Sequence, residues 1–466
     1  MLIIKKIAII LLLFQTMNMF GGNTYKPKYS TDWDKVNTHI NKTWYLSRVD
    51  SSTWQLKGSL KLPLPYFSIH ENRNVLYCWD TYFANAGILL IDSLAIYAKN
   101  AVDNQFAEIE QIGFVPNCSE PWAFNRSQVP FLSMMVREVY EKKMLADKKW
   151  LKYAYEMLLK DYKFWTDTSK NAIENHTTTI PGLQRFYQHA TREDLIKFYD
   201  VLRPRFGLTD NPTEEQRIQM AEAWMSEAET GMDFTPRFEN RCHQFIAVDL
   251  NTNLYRYEMN FAWMVKILGL KNQPNWLQKA KTRKELMTKY CWNEKRGMFM
   301  DYDFVNKRHT PIASMAAFYP LYTGMATKEQ VKRTVQNLTL LEFEFGPAVC
   351  EKAKHDRTYQ WDYPAGWPPM YYLMIKGLDN YGYKADAKRI AQKYLDITTR
   401  NFIKPFPESY IKRTKTGNNT VKRIPGFIYE KYNVATGDIY DPEYPSMVLS
   451  DWSYGVFVWS LNYLKK

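Results

Sequence analysis

Cysteine is scarce in this 466-residue chain, with only Cys78, Cys118, Cys242, Cys291 and Cys350, all far apart. An odd count excludes complete intramolecular pairing, and without a C-x-x-C step the spacing excludes a zinc ribbon or finger. Histidine is nearly as sparse, seven residues with no H-E-x-x-H, so no metal and no other cofactor is expected. Long apolar runs are missing too. The stretch Ile7–Phe14 falls far short of the roughly 20 residues a membrane span requires. Positive charge is in excess, 62 Lys and Arg against 49 Asp and Glu for a formal net charge of +13, but it is not concentrated. The longest basic cluster, Lys412–Lys415, is short, and no nucleic-acid motif accompanies it, so the charge reads as solvated helix faces and no nucleic-acid partner is expected. No Ser/Gly-rich linker divides the chain, which reads as one globular unit and a monomer.

Aromatic residues are abundant, 16% of the chain with 15 Trp and 33 Tyr. They suit a large core. They also suit a carbohydrate cleft, where flat rings cover the apolar faces of sugars and polar tips bond hydroxyls. At the N-terminus Lys5 and Lys6 precede the short apolar run, and Gly21-Gly22 follows it. That order predicts a secretory signal over residues 1–22 and a secreted or periplasmic protein. Sequons at Asn117 and Asn125 favour the periplasm, since glycans there would block the loops described below.

Helical periodicity recurs along the chain. Leu250, Leu254, Tyr257, Phe261, Val265 and Leu268 advance by three or four residues, as do Leu151, Tyr155, Leu158, Tyr162 and Trp165. Further helices are expected over 82–98, 128–140, 274–290, 328–337, 370–381, 386–399 and 454–464. Repeated amphipathic stripes of this kind predict an all-α fold of helix packed on helix. A β-hairpin is expected within 401–429, turning at Thr414–Gly417.

Between the helices lie four loops that combine Trp or Arg with a carboxylate or amide: Tyr77-Cys-Trp-Asp-Thr-Tyr-Phe83; Gly113-Phe-Val-Pro-Asn117 with Asn125-Arg-Ser-Gln128; Glu229-Thr-Gly-Met-Asp-Phe-Thr-Pro-Arg237; and Gln360-Trp-Asp-Tyr-Pro-Ala-Gly-Trp-Pro-Pro369. A ring face beside bidentate donors and acceptors is what sugar recognition needs. One such loop has bland explanations. Asp80 alone reads as a helix cap, Arg126 as a bridge between helices, and Trp367-Pro368-Pro369 as a helix start. Four in one chain point to a site.

The fourth loop resembles the trehalase signature of glycoside hydrolase family 37, Q-W-D-x-P-x-G-W-x-P, at every fixed position. The others resemble that family's Y-x-W-D-x-Y, I-P-N…R-S-Q and E-S-G-W-D-F-S-S-R. Val248-Asp-Leu-Asn251, Asp301-Tyr-Asp303 and Glu430-Lys-Tyr432 extend the likeness over about Tyr77 to Val456. The resemblance implies a single (α/α)6 toroid over residues 23–466, a small carbohydrate substrate and inverting hydrolysis of trehalose. It places the general acid on Asp233 and the general base on Glu443, with Trp79, Asp80, Asn117, Arg126, Gln128, Arg203, Gln360, Trp361 and Asp362 lining the pocket.

Three segments depart from the family pattern. Asn72-Arg73 stands where trehalases carry P-G-G-R-F, Arg203-Pro204-Arg205 where they carry R-P-E, and Ile439–Glu443 where they carry a glycine-rich loop. Gly231-Met-Asp-Phe-Thr-Pro-Arg237 is also similar to the G-[LM]-D-x-S-P-[RM] of glycoside hydrolase family 63, which acts on other glucosides or mannosylglycerate. That family is the alternative for the substrate. An inactive sugar-binding relative is the non-enzyme alternative, opposed by the presence of both carboxylates.

Overall fold

The computed structural model describes residues 25–50, 56–69, 74–142, 144–169, 175–355, 357–404, 409–414, 417–422, 424–439 and 446–466. The expected signal, Asn72-Arg73 and Glu443 lie outside these residues.

Twelve of the described helices alternate between an outer and an inner layer. The outer helices α1 (Trp33–Thr43), α3 (Ala95–Ile112), α5 (Lys148–Thr166), α9 (Trp276–Cys291), α11 (Lys328–Gln336) and α13 (Lys384–Ile403) each leave a polar face to water. The inner helices α2 (Asp80–Ile88), α4 (Leu132–Glu141), α8 (Val248–Leu268), α10 (Tyr319–Thr323), α12 (Pro368–Asn380) and α14 (Trp452–Lys465) are far more buried. Each inner helix packs on the next, and α14 returns to α2, closing a ring of six. This is the (α/α)6 toroid.

Local signals set the helix ends. Asp147 accepts from the Trp150 N–H at the start of α5, and Thr327 and Gln330 form a capping box at α11, satisfying donors the helix leaves open. Gly113 and Gly269 end α3 and α8 in the left-handed conformation that glycine adopts without strain.

Two differences from the sequence reading concern layers. The apolar stripe over 82–98 is broken: α2 ends at Ile88 and α3 starts at Ala95. Apolar Leu89, Leu90 and Ile91 conceal the turn by which the chain leaves the inner layer for the outer one. Helices α6 (Arg192–Arg205) and α7 (Glu214–Ala228) are additions, since their stripes are too weak to announce them. They pair with each other, opened by capping boxes at Thr191 and Thr213, and are inserted between outer α5 and inner α8. The expected hairpin is present as antiparallel strands pairing Ser409 with Lys422 and Thr414 with Gly417.

The core is aromatic where inner helices meet. Tyr82 of α2 stacks on Phe131 at 4.6 Å and 12°, and its hydroxyl lies 2.6 Å from that of Tyr322. The seam between α2 and α14 is made by glycine. A Cβ on Gly455 would stand 2.1 Å from the Phe83 carbonyl oxygen, and one on Gly87 would stand 2.6 Å from the Gly455 carbonyl oxygen. Both neighbours are backbone and cannot turn aside. Gly455→Val is therefore expected to cost about 1–3 kcal/mol of stability, read as a lowered thermal midpoint, whereas Gly382→Ala, with open space around it, tests left-handed strain alone.

Candidate active site

Alternation of layers makes the inner helices parallel, so their N-termini share one mouth of the ring. Each motif loop runs into an inner helix at that end: Tyr77–Trp79 into α2, Gly113–Gln128 towards α4, Glu229–Ala247 into α8, and Gln360–Trp367 into α12. Hydrogen bonds knit the loops together. The Cys78 N–H donates to the Asn117 carbonyl at 3.1 Å, the Asn117 N–H to the Arg126 carbonyl at 2.9 Å, and the Trp361 N–H to the Phe234 carbonyl at 3.0 Å. Gln128 accepts the Trp79 N–H through its side-chain oxygen at 3.1 Å.

Below the loops lies a floor of tryptophan. Trp361 stacks on Trp367 at 3.9 Å and 10°. Trp452 meets both edge-on at 6.2 and 5.7 Å, and Trp79 meets Trp452 at 6.2 Å. All four are buried. Gly231 presses on Trp79, where a Cβ would come within 2.5 Å of the indole, and has φ +75°, so glycine is required on both counts. Among the described residues, the indole Nε1 atoms of Trp361 and Trp452 and the Nε of Arg126 are buried donors without hydrogen-bond partners, an uncommon state that a ligand would relieve.

Asp233 is among the more open groups at the mouth, its side chain 41% exposed and its carboxylate 4.0 Å from the Arg205 guanidinium. Arg205 also donates to the Asp233 carbonyl at 3.3 Å and to the Gln360 side-chain oxygen. Asp80 is the first residue of α2, with Trp79 at the N-cap position before it. Burial first, then the charge of Asp451, with lesser contributions from Asp233 and Glu430, holds its carboxyl well above the ordinary range. Burial likewise pushes Asp451 up to about 7. Like charges gathered in a desolvated mouth favour protonated carboxyls.

The remaining sequence-derived residues divide. Arg126 is buried and spans the rings of Trp122 and Phe198 at 5.5 and 5.8 Å, and the charge of Asp233 acts on it. Asp362 pairs with His355 at 3.2 Å. Arg203 turns away to donate to the carbonyls of Leu208, Thr209 and Asp210 at 3.2, 3.3 and 2.7 Å, closing the turn after α6. Arg205, two residues on, reaches the mouth instead. Two helical steps of about 100° each put these two arginines on nearly opposite faces. An open cleft of about 730 Å³ beside α7, lined by Asp210, Gln216, Glu222, Asn240 and His243, holds none of these residues. Chemistry rather than volume locates the site.

Sequence reasoning missed the frame beneath Asp233. Arg237 is fully buried between Asp249 at 2.8 Å and Asp301 at 2.9 Å. Glu229, also buried, accepts the N–H groups of Ser127 at 3.0 Å and Tyr187 at 2.9 Å and faces His176 at 3.1 Å. Glu227 accepts both the N–H and the hydroxyl of Thr235, at 2.7 and 2.9 Å. The available signal was an acidic residue on the buried side of α7, which a weak apolar stripe obscured.

A six-hairpin toroid whose inner-helix mouth gathers carboxylates and guanidinium groups over tryptophan places the chain in the class of (α/α)6 carbohydrate-active proteins. Residues 19–465 match the trehalase family model, and the chain belongs to the trehalase family. It is 31% identical over 377 residues to a cytosolic neutral trehalase of Kluyveromyces lactis, covering 73% of this chain and 49% of that one. A cytosolic neutral trehalase of Saccharomyces cerevisiae is 30% identical, with 73% and 50% covered. The chain thus spans about half the length of the curated relatives it matches. Among solved structures, neutral trehalase Nth1 of Saccharomyces cerevisiae superposes with a TM-score of 0.68 at 27% identity, covering 86% of this chain and 73% of that one. A family 63 mannosylglycerate hydrolase of Thermus thermophilus shares the fold, with a TM-score of 0.58 at 14% identity over 91% and 99% of the two chains.

These relatives correct one expectation. The charged start and short apolar run point to an exported, periplasmic protein with a signal peptide, yet relatives from Kluyveromyces lactis, Saccharomyces cerevisiae and Beauveria bassiana are named cytosolic neutral trehalases. A short apolar run after two lysines carries too little pattern to stand against them. Among the described residues no helix is long and apolar enough to cross a membrane.

Two outcomes test the frame. Arg237→Met leaves two buried carboxylates facing each other and is expected to cost about 3–5 kcal/mol, measured by urea unfolding. Burial pushes Glu227 from 4.5 up to about 7, so the folded chain keeps a proton that the unfolded chain releases. That contribution to stability is complete below about 4.5 and is lost as the pH rises to about 7. Glu227→Gln keeps the acceptor for Thr235 without the charge, and should flatten this fall and raise the thermal midpoint at pH 8.

Proposed function

We propose that the chain hydrolyses trehalose to two glucose molecules by single displacement with inversion. Asp233 gives its proton to the glycosidic oxygen as the C1–O bond breaks. Glu443 takes a proton from the water whose oxygen bonds to C1 from the opposite face. One glucose leaves as the β-anomer and the other keeps its configuration, so atoms and protons balance. Inverting chemistry places the two carboxyls about 6.5–9.5 Å apart to admit the water. Asp80, Arg126 and Gln360 are assigned to the sugar hydroxyls, and Trp79 and Trp361 to the wall behind the ring.

The observation that carries this reading is the position of Asp233. It is an open carboxylate on a loop held by Arg237, Glu227 and Trp361, at the mouth where four family-matching loops meet. Shared fold alone would equally suit the family 63 enzyme, but membership of the trehalase family favours trehalose.

Glucose release from trehalose, with proton NMR following the anomers, is the test. Equal α- and β-glucose at early times is expected, and two equivalents of α-glucose would refute inversion. Asp233→Asn and Glu443→Gln should each lower kcat by at least about 10³-fold, within the range for loss of an acid or base, with thermal midpoints near the parent's. Near-parental rates in either variant would remove that residue from its role.

A further inference from the structure

Asp451 stands immediately before α14, where an aspartate is ordinarily a helix cap. It makes no capping hydrogen bond, and its backbone, at φ −73° and ψ −99°, departs from the extended form of a capping residue. The residue is 4% exposed, and its carboxyl has no hydrogen-bond or ion-pair partner among the described residues. Burying an acid without a partner is costly, and capping does not account for it.

The glycine seam fixes its neighbour. Gly455, whose N–H donates to the Asp451 carbonyl at 3.1 Å, lies one turn into α14 and against the backbone of Phe83 and Ala84. Since α2 and α14 run parallel, one turn back along each brings Asp451 abreast of Asp80. Their chain neighbours Trp452 and Trp79 meet edge-on at 6.2 Å in the floor of the mouth. Asp80 is 7% exposed, and the hydrogen-bond donor that acts on it is its own N–H. The charge of Asp233 reaches Asp80 as well, so the pair belongs to the same mouth as the general acid.

Two buried carboxyls side by side resist carrying two charges, because each repels the other and both have lost water. They also stand at two helix N-termini, which favour negative charge. A pair holding a single proton meets both conditions. Such a pair offers one O–H donor and one anionic acceptor. That is the complement of a sugar hydroxyl, which gives one hydrogen bond and takes another. We propose that Asp451 is a substrate-binding residue: with Asp80 it forms a carboxyl pair, carrying one proton, that clasps a glucose hydroxyl of the substrate. This inference rests on the hydrolytic reading above and adds a residue that sets its specificity.

The test is a cycle over substrates and variants. Release of monosaccharide gives kcat/KM for the parent chain, Asp451→Ala and Asp451→Asn. The substrates are trehalose and its four analogues deoxygenated in both rings at carbon 2, 3, 4 or 6. Asp451→Ala should lose at least about tenfold on trehalose, the loss expected when a charged group no longer holds a hydroxyl. On the analogue that lacks the clasped hydroxyl, the loss should shrink to about threefold or less. Asp451→Asn has the same shape and keeps a donor and an acceptor, so it should show this pattern more weakly. Its thermal midpoint should match or exceed the parent's, because a buried acid is removed, which separates a lost contact from lost folding. Equal losses on all five substrates, or near-parental kcat/KM in Asp451→Ala, overturns the proposal while leaving trehalose hydrolysis intact. A parent chain that releases no glucose from trehalose overturns the hydrolytic reading itself, and this inference with it.

Discussion

The buried guanidinium of Arg237 is the interaction on which the rest of the mouth depends. Arg237 ends the loop that presents Asp233, while Asp249 stands in the first turn of α8 and Asp301 lies on the strand-rich segment after α9. One planar cation therefore fastens the acid-bearing loop to an inner helix and to the segment behind it. Desolvating three charges is expensive, and only close pairing on both edges makes the arrangement tolerable. The Asp301 carboxylate also accepts the Val248 N–H at 2.9 Å, so the same oxygen that holds Arg237 satisfies a donor at the start of α8.

Around this anchor, structural and chemical duties are separated along short stretches of chain. Glu227 and Glu229 precede Asp233 on the same stretch, both buried and both committed to backbone N–H groups. Asp233 alone among these three acids is open to solvent to a large degree. Similarly, Trp367 packs beneath Trp361 while starting α12, and Arg203 closes a turn so that Arg205 can face the mouth. Fixed neighbours are what keep an exposed acid within the narrow geometry that proton transfer demands.

Much of the fold was legible because inner and outer helices write different stripes. The period of α8 and α5 is unmistakable in Leu250–Leu268 and Leu151–Trp165. It fails for α2, where every residue is buried and no polar face exists to mark a turn, and for α6 and α7, which pack mainly on each other. The site was legible through its four loops, since Trp-Asp, Gln-Trp-Asp and Gly-Met-Asp-Phe combine side chains that a core alone does not require. What the loops could not convey was direction. Nothing in Arg203-Pro-Arg205 distinguishes the arginine that bonds carbonyls from the one beside Asp233, because that depends on the helical rotation between them. Nor could the sequence show that Asp80 and Asp451, near opposite ends of the chain, meet in one desolvated space where burial and mutual repulsion act together.

The glycine seam between α2 and α14 governs the order in which the molecule can be made. Gly87 and Gly455 touch backbone to backbone, so the ring closes through elements at opposite ends of the sequence. During synthesis the earlier hairpins can stack as each emerges, but the inner faces of α2 and α12 stay uncovered until α14 appears. Closing so long a loop is slow relative to local helix pairing. The aromatic interior is therefore enclosed on every side only by the contact that joins α14 to α2.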